Sequence, residues 1–178
     1  MIVIVGESAC GKSSVAKCLV NNYGYKRIVT YTTRKPRDGE VDGFDYFFIN
    51  QEEFEEREMN GFFAETATYN EWMYGSAKED YEDNCVIILT PRGLRTVKKA
   101  GIENIFSVYI DVPRRDRIIK SLERGDNIEE VYRRSISDAG QFDGISDEVD
   151  LVLKNEKYIR SVEDITATID TAAKNNLK

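Results

Sequence analysis

The chain has 178 residues, enough for one domain with a real core, and its 41% hydrophobic and 32% charged residues fit a globular protein. A net charge of −7 argues against the broad basic surface that sequence-independent nucleic-acid binding needs, and the absence of histidine removes His triads, His metal sites and His general bases. The apolar runs Met1–Val5 and Cys85–Leu89 fall far short of the roughly 20 residues of a membrane span, and the first leads straight into Gly6 without a basic start or cleavage site, so the expectation is a cytoplasmic protein with no signal peptide and no membrane contact. Cys10, Cys18 and Cys85 match no zinc or redox spacing and read as reduced thiols.

In chain order, Ile2–Val5 is a β-branched run with no polar face, the pattern of a buried parallel strand. Lys12 to about Asn22 reads as a helix, with Val15, Ala16, Leu19 and Val20 as its apolar stripe and Gly24 just past its end. Lys26–Val29 reads as a short second strand. From Tyr31 to Tyr81 the character changes, with turn signals at Pro36-Arg37-Asp38-Gly39 and Asp42-Gly43 and many aromatics. Asp45–Ile49 reads as a strand, Gln51–Met59 as a short charged helix stopped near Gly61, and Phe62–Thr68 and Glu71–Tyr74 as strands. This stretch is expected to be an inserted subdomain with a small mixed or antiparallel sheet. The alternation then resumes with strand Cys85–Leu89, helix Pro91–Ala100 with Pro in its first turn, strand Ile105–Ile110 and helix Pro113–Glu123. Arg124 to Arg134 is charged, opens on Arg-Gly-Asp-Asn and reads as a mobile segment. Leu151–Leu153 is a short strand and Ile159–Ala173 a closing amphipathic helix. Alternating strands and helices of this kind predict a parallel, doubly wound α/β core.

Gly6-Glu7-Ser8-Ala9-Cys10-Gly11-Lys12-Ser13 matches G-x-x-x-x-G-K-[ST] in full, between a strand and a helix. Glycines let backbone amides wrap a phosphate, and the helix that follows turns its positive end to the anion. Lys12 can reach the outer phosphates, and the Ser13 hydroxyl can ligate Mg²⁺. With Ser14 the stretch forms a candidate ATP-binding segment. Cys10 has two readings: a thiol with its pKa lowered by helix-terminal amides and Lys12, or a small residue whose backbone alone matters. The second is preferred.

Arg34, Lys35 and Arg37 put three cations within four residues at a rigid turn in Thr32-Thr33-Arg34-Lys35-Pro36-Arg37-Asp38-Gly39-Glu40, and arginine suits bidentate phosphate contacts. Val41-Asp42-Gly43-Phe44-Asp45-Tyr46 follows, then Phe63-Ala64-Glu65 and Tyr74-Gly75-Ser76. With the phosphate loop, this T-T-R-x-P-R-x-G-E-x-D-G-x-D-Y, F-x-E, Y-G-S series closely resembles the guanylate kinase family, over essentially the whole chain and most densely from Met1 to Tyr81.

The resemblance implies an α/β, P-loop NTPase-like parallel sheet flanked by helices, with an inserted small mixed-sheet nucleotide-binding subdomain and a lid. Residues 1–178 would form one domain, with core 1–30, 83–122 and 141–178, GMP-binding insert 31–82 and lid 123–140. It implies Mg²⁺-dependent phosphoryl transfer from ATP to GMP, with Lys12, Arg34, Arg124 and Arg134 as catalytic groups. It implies that Arg34, Arg37 and Tyr46 hold the GMP phosphate with help from Tyr74, with Thr30 close by. Glu65 and Ser76 would read guanine, since a carboxylate accepts from N1–H and the exocyclic amino group and a hydroxyl donates to O6. Asn155, in Asp150-Leu151-Val152-Leu153-Lys154-Asn155, would lie near the adenine, with a loop cap as the competing reading. The implied partners are ATP and GMP, with dGMP open as a further acceptor, for a monomer or homodimer.

Two departures stand out. The family's R-L-x-x-R-G is one residue shorter here, Ser121-Leu122-Glu123-Arg124-Gly125, with Lys120 as the available substitute for a lid arginine. Ile88 and Thr90 occupy positions where many members carry aspartates, and Thr90 falls in the GMP-binding set. Slower turnover or looser base choice is the expectation. A relative with a different small phosphate acceptor, or a non-catalytic interaction module, are the competing readings.

Overall fold

The structure is a computed structural model that describes residues 1–69 and 71–176. Strand β1 (Ile2–Val5) is wholly buried, with Ile2 and Ile4 packed in one core cluster and Val3 and Val5 in the other. That split is what a strand covered on both faces requires, and it explains why no polar residue interrupts the run. Helix α1 (Lys12–Tyr23) packs Val15, Ala16 and Leu19 on the first cluster and ends at Gly24, whose φ of 76° closes the C-cap. Strand β2 (Lys26–Arg27) is shorter than the sequence suggests.

The chain then leaves the core. Strands β3 (Tyr31–Thr32) and β4 (Phe47–Phe48), helix α2 (Gln51–Met59), and strands β5 (Phe63–Tyr69) and β6 (Trp72–Ala77) build a second sheet in the order β4-β3-β6-β5. It is mixed: β3 runs parallel to β4 and antiparallel to β6, and β5 pairs antiparallel with β6. Two-residue strands such as β3 carry no alternation for sequence to show; β3 exists because β4 and β6 flank it.

The core resumes with β7 (Cys85–Ile88), α3 (Pro91–Lys99), β8 (Phe106–Asp111), α4 (Arg114–Glu123), α5 (Ile128–Asp138), β9 (Leu151–Lys154) and α6 (Val162–Asn176). The core sheet is parallel throughout, in the order β2-β7-β1-β8-β9. β1 lies centrally, so the connection after it opens between β7 and β8. This is the crevice at strand C-termini where open α/β sheets bind ligands. No helix among the described residues is long and apolar enough to cross a membrane.

Two sequence expectations need correction. Arg124 to Arg134, read as a mobile segment, contains most of α5. Asn127 caps this helix by accepting from the Glu129 and Glu130 amides. Its buried face is Val131, Ser135 and Asp138, while Ile128, Tyr132 and Ile136 face outward, so apolar periodicity points to the wrong side. The last helix begins at Val162, not Ile159, because Lys157 and Tyr158 take φ of 50° and 53° and Ser161 accepts from the Asp164 amide.

Candidate active site

The Gly6–Ser13 loop runs from β1 into α1. A Cβ on Gly6 would lie 2.6 Å from Cys10 Sγ and 2.9 Å from the Ile110 carbonyl, so only glycine fits there. Ala9 (φ 65°) and Gly11 (φ 100°) bend the chain left-handed, and Cys10 N donates to the Glu7 carbonyl at 3.3 Å to close the turn. Lys12 Nζ donates to that same carbonyl at 2.7 Å, which folds its charge back over the loop. Ser13 and Ser14 are exposed in the first turn of α1. The Cys10 side chain is buried, and burial pushes its thiol up, which fits a packing role over a reactive one.

Beneath the loop lies a charged network absent from the sequence reading. Arg117, on α4, donates to the carbonyls of Val112 at 3.0 Å and Ser8 at 3.3 Å, and pairs with Glu7 at 3.3 Å and Asp138 at 3.4 Å. Asp138, at the end of α5, accepts from the Ser8 amide at 2.8 Å and the Ser8 hydroxyl at 3.3 Å. Tyr109 donates to Glu7 at 3.0 Å, and Tyr158 donates to the Ala9 carbonyl at 2.8 Å. An acid beside an anion site needs a counter-cation, so Glu7 was the available signal; the partner's identity was not legible.

The basic turn packs against the second sheet. Arg34 is 4% exposed; it pairs with Glu40 at 2.8 Å, donates to the Lys35 carbonyl at 2.8 Å and lies 5.2 Å from the Tyr46 ring centroid. Tyr46 and Tyr74 sit edge to face at 6.1 Å. Glu40 is held below the usual carboxylate range: burial works to raise it, and the Arg34 and Arg37 contacts outweigh that. Arg37 is pulled below the ordinary guanidinium range by burial first, then by Arg134 and Arg34, which reports three arginines converging on one region. Half-buried Thr30 contributes a carbonyl, which accepts from Phe47 N at 3.0 Å.

Helix α5 brings its own carboxylates. Glu130 accepts from Arg134 at 2.7 Å and Arg133 at 3.0 Å and lies 3.8 Å from Arg37. Arg124 pairs with Asp126, which also lies 3.9 Å from Arg134. Arg133 reaches across to Trp72 of β6, 5.7 Å from its ring centroid. Lys120 pairs with Glu123 on the exposed face of α4, whereas Ser121 is buried and donates back to the Arg117 carbonyl.

Glu65 and Ser76 stand opposite each other on β5 and β6, 5% and 0% exposed. Ser76 Oγ donates to Glu65 Oε1 at 2.8 Å, and burial raises the Glu65 carboxyl to about 7 despite that bond. A Cβ on Gly93 would fall 3.1 Å from Glu65 Oε2 and 3.5 Å from Thr90 Oγ1, so the carboxyl lies against the first turn of α3. Thr90 caps that helix by accepting from Gly93 N at 3.1 Å. A hydroxyl at this position spares Glu65 a like charge. Asn155 is 3% exposed and its amide is engaged by Arg160, accepting from its N at 2.9 Å and donating to its carbonyl at 3.2 Å.

Helix α5 thus joins the loop, through Asp138 and Ser8, to the basic turn, through Glu130 and Arg37. The protein-family model described as guanylate kinase matches residues 1–172. The guanylate kinase of Bacillus cereus is 32% identical over 181 residues, covering 95% of this chain and 86% of its own length. That of Onion yellows phytoplasma is 29% identical over 178 residues, covering 95% and 84%. The crystal structure of guanylate kinase from Anaplasma phagocytophilum shares the fold at a TM-score of 0.73 and 22% identity, covering 99% of this chain and 85% of that one.

Proposed function

The chain belongs to the guanylate kinase family of nucleoside monophosphate kinases, and from that membership we propose that it transfers the γ-phosphoryl group of ATP to GMP, giving ADP and GDP. The observation that carries this reading is that helix α5 touches both the Gly6–Ser13 loop, where Asp138 accepts from the Ser8 amide at 2.8 Å, and the basic turn, where Glu130 lies 3.8 Å from Arg37. Lys12 neutralises charge on the outer phosphates of ATP. Arg34, Arg37, Tyr46 and Tyr74, with Thr30 close by, hold the GMP phosphate; Arg124 and Arg134 close over the transferring group from the lid. Catalysis is then positioning and charge neutralisation, with no general base required. Asn155 lies on the adenine side, and its side chain also caps the turn before Arg160.

The family's reaction needs a divalent metal, and we take it to be Mg²⁺. Among the described residues no cluster of three or more Cys, Asp or Glu could hold an ion alone. That donor set fits Mg²⁺, which keeps waters and substrate phosphates in its shell, with the exposed Ser13 hydroxyl as the protein's ligand. Held by Ser13, the metal would supply positive charge to offset that of the phosphates.

Glu65 in its ionised form accepts from N1–H and the 2-amino group of guanine, and Ser76 donates to O6. The test is ADP formation with Mg·ATP across GMP, dGMP, IMP, AMP, UMP and CMP. Turnover with GMP well above every other ribonucleotide is expected; equal turnover with IMP, AMP, UMP or CMP would overturn the assignment.

A further inference from the structure

Ser76 Oγ makes two short hydrogen bonds, to Glu65 Oε1 at 2.8 Å and to the Tyr81 hydroxyl at 2.6 Å. A serine hydroxyl carries one proton and two lone pairs. With its proton given to the ionised Glu65, the second contact can be made only with Tyr81 as donor. Burial pushes the Tyr81 phenol up, so that proton stays in place at any working pH. Tyr81 reaches Ser76 because the chain after β6 closes at once in a 3-10 turn, Lys78–Asp80, with Tyr81 N donating to the Lys78 carbonyl at 3.4 Å.

We propose that Tyr81 is a positioning residue for base selection, holding the Ser76 hydroxyl as a hydrogen-bond donor toward position 6 of the purine. The inference deepens the guanylate kinase reading above and rests on it. Tyr81 fills one Ser76 lone pair and pins its rotor, so the Ser76 proton goes to Glu65 in the empty site and to a 6-oxo group when guanine occupies Glu65. A 6-amino purine offers the Ser76 proton no acceptor, so that proton stays on Glu65 and the bond a 6-oxo group gains is lost; the amino group finds only the one Ser76 lone pair that Tyr81 leaves open. Glu65 and Tyr81 therefore read different edges. Glu65 reads N1–H and the 2-amino group; Tyr81, acting through Ser76, reads the 6-substituent.

The division of labour gives a test with three acceptors. Tyr81→Phe keeps the ring and its packing and removes only the donor. Steady-state kinetics with Mg·ATP should show the GMP-to-AMP ratio of kcat/KM falling about tenfold. The GMP-to-IMP ratio, which the 2-amino group sets, should hold. In a Ser76→Ala background the same Tyr81→Phe change should leave the GMP-to-AMP ratio where Ser76→Ala puts it. A structural role alone would move all three acceptors together and would persist in that background. A wild type that prefers GMP, with a GMP-to-AMP ratio unmoved by Tyr81→Phe, overturns the Tyr81 inference alone. A wild type that prefers a different acceptor overturns the functional reading and this inference with it.

Discussion

The loop and the turn proposed to hold the donor and acceptor phosphates are built in opposite ways. The loop is contiguous and uses backbone: Gly6, Ala9 and Gly11 shape it, and Lys12 rests on a carbonyl. The turn uses side chains, and each of its arginines already has a carboxylate, Glu40 for Arg34 and Glu130 of α5 for Arg37. Amides in a turn hold partial charge without needing a counter-ion, whereas full guanidinium charges packed together need one. The loop has an ion network of its own, with Arg117 between Glu7 and Asp138.

Substitutions on the two sides should therefore fail differently. The largest effect is expected for Lys12→Ala, which should lower kcat about 100- to 1000-fold in the coupled ADP assay while thermal unfolding hardly moves. A loss confined to the KM for ATP would show that the lysine binds and does not act in transfer. Arg117→Met should leave the buried Asp138 and the partly buried Glu7 without their cation and cost roughly 3 kcal/mol in urea unfolding. If the protein instead keeps its stability, the network does not brace the loop.

On the acceptor side the effects turn on pH. The Glu65 carboxyl is raised from 4.5 to about 7 by burial. Folding therefore favours its protonated form: that stabilisation is complete below pH 4.5 and is lost as pH rises through 7. Glu65→Gln should gain on the order of 3 kcal/mol over wild type between pH 5 and pH 8 by chemical denaturation. Reading guanine requires the ionised form, so the wild-type KM for GMP should fall as pH rises through 7, and the variant's should stay flat. Smallest is Glu130→Gln. Freeing Arg37 and Arg134 should lower the KM for GMP about two- to threefold at low salt, with the gain fading at high salt. A higher KM would mean that Glu130 orients those arginines and does not compete with phosphate.

What could be read in advance follows the same contrast. The phosphate loop was legible because backbone conformation is set by glycines and neighbours within eight residues. The parallel core was legible because strands buried on both faces leave uninterrupted apolar runs. Helix α5 was not, since its buried face holds Ser135 and Asp138 and its apolar residues face outward. Strand β3 was not, because two residues show no period. Arg117, Tyr109 and Tyr81 looked like any surface cation or packed aromatic until β8, α4 and the turn after β6 brought them to Glu7 and Ser76.

By itself, then, the sequence determined the class of fold, the Gly6–Ser13 motif and the family, because each rests on short-range pattern. Only the tertiary structure decided which carboxylate neutralises which arginine, and which hydroxyl donates to Ser76. Those pairings join residues up to 110 positions apart, and a charge or a proton is satisfied by what lies beside it in space.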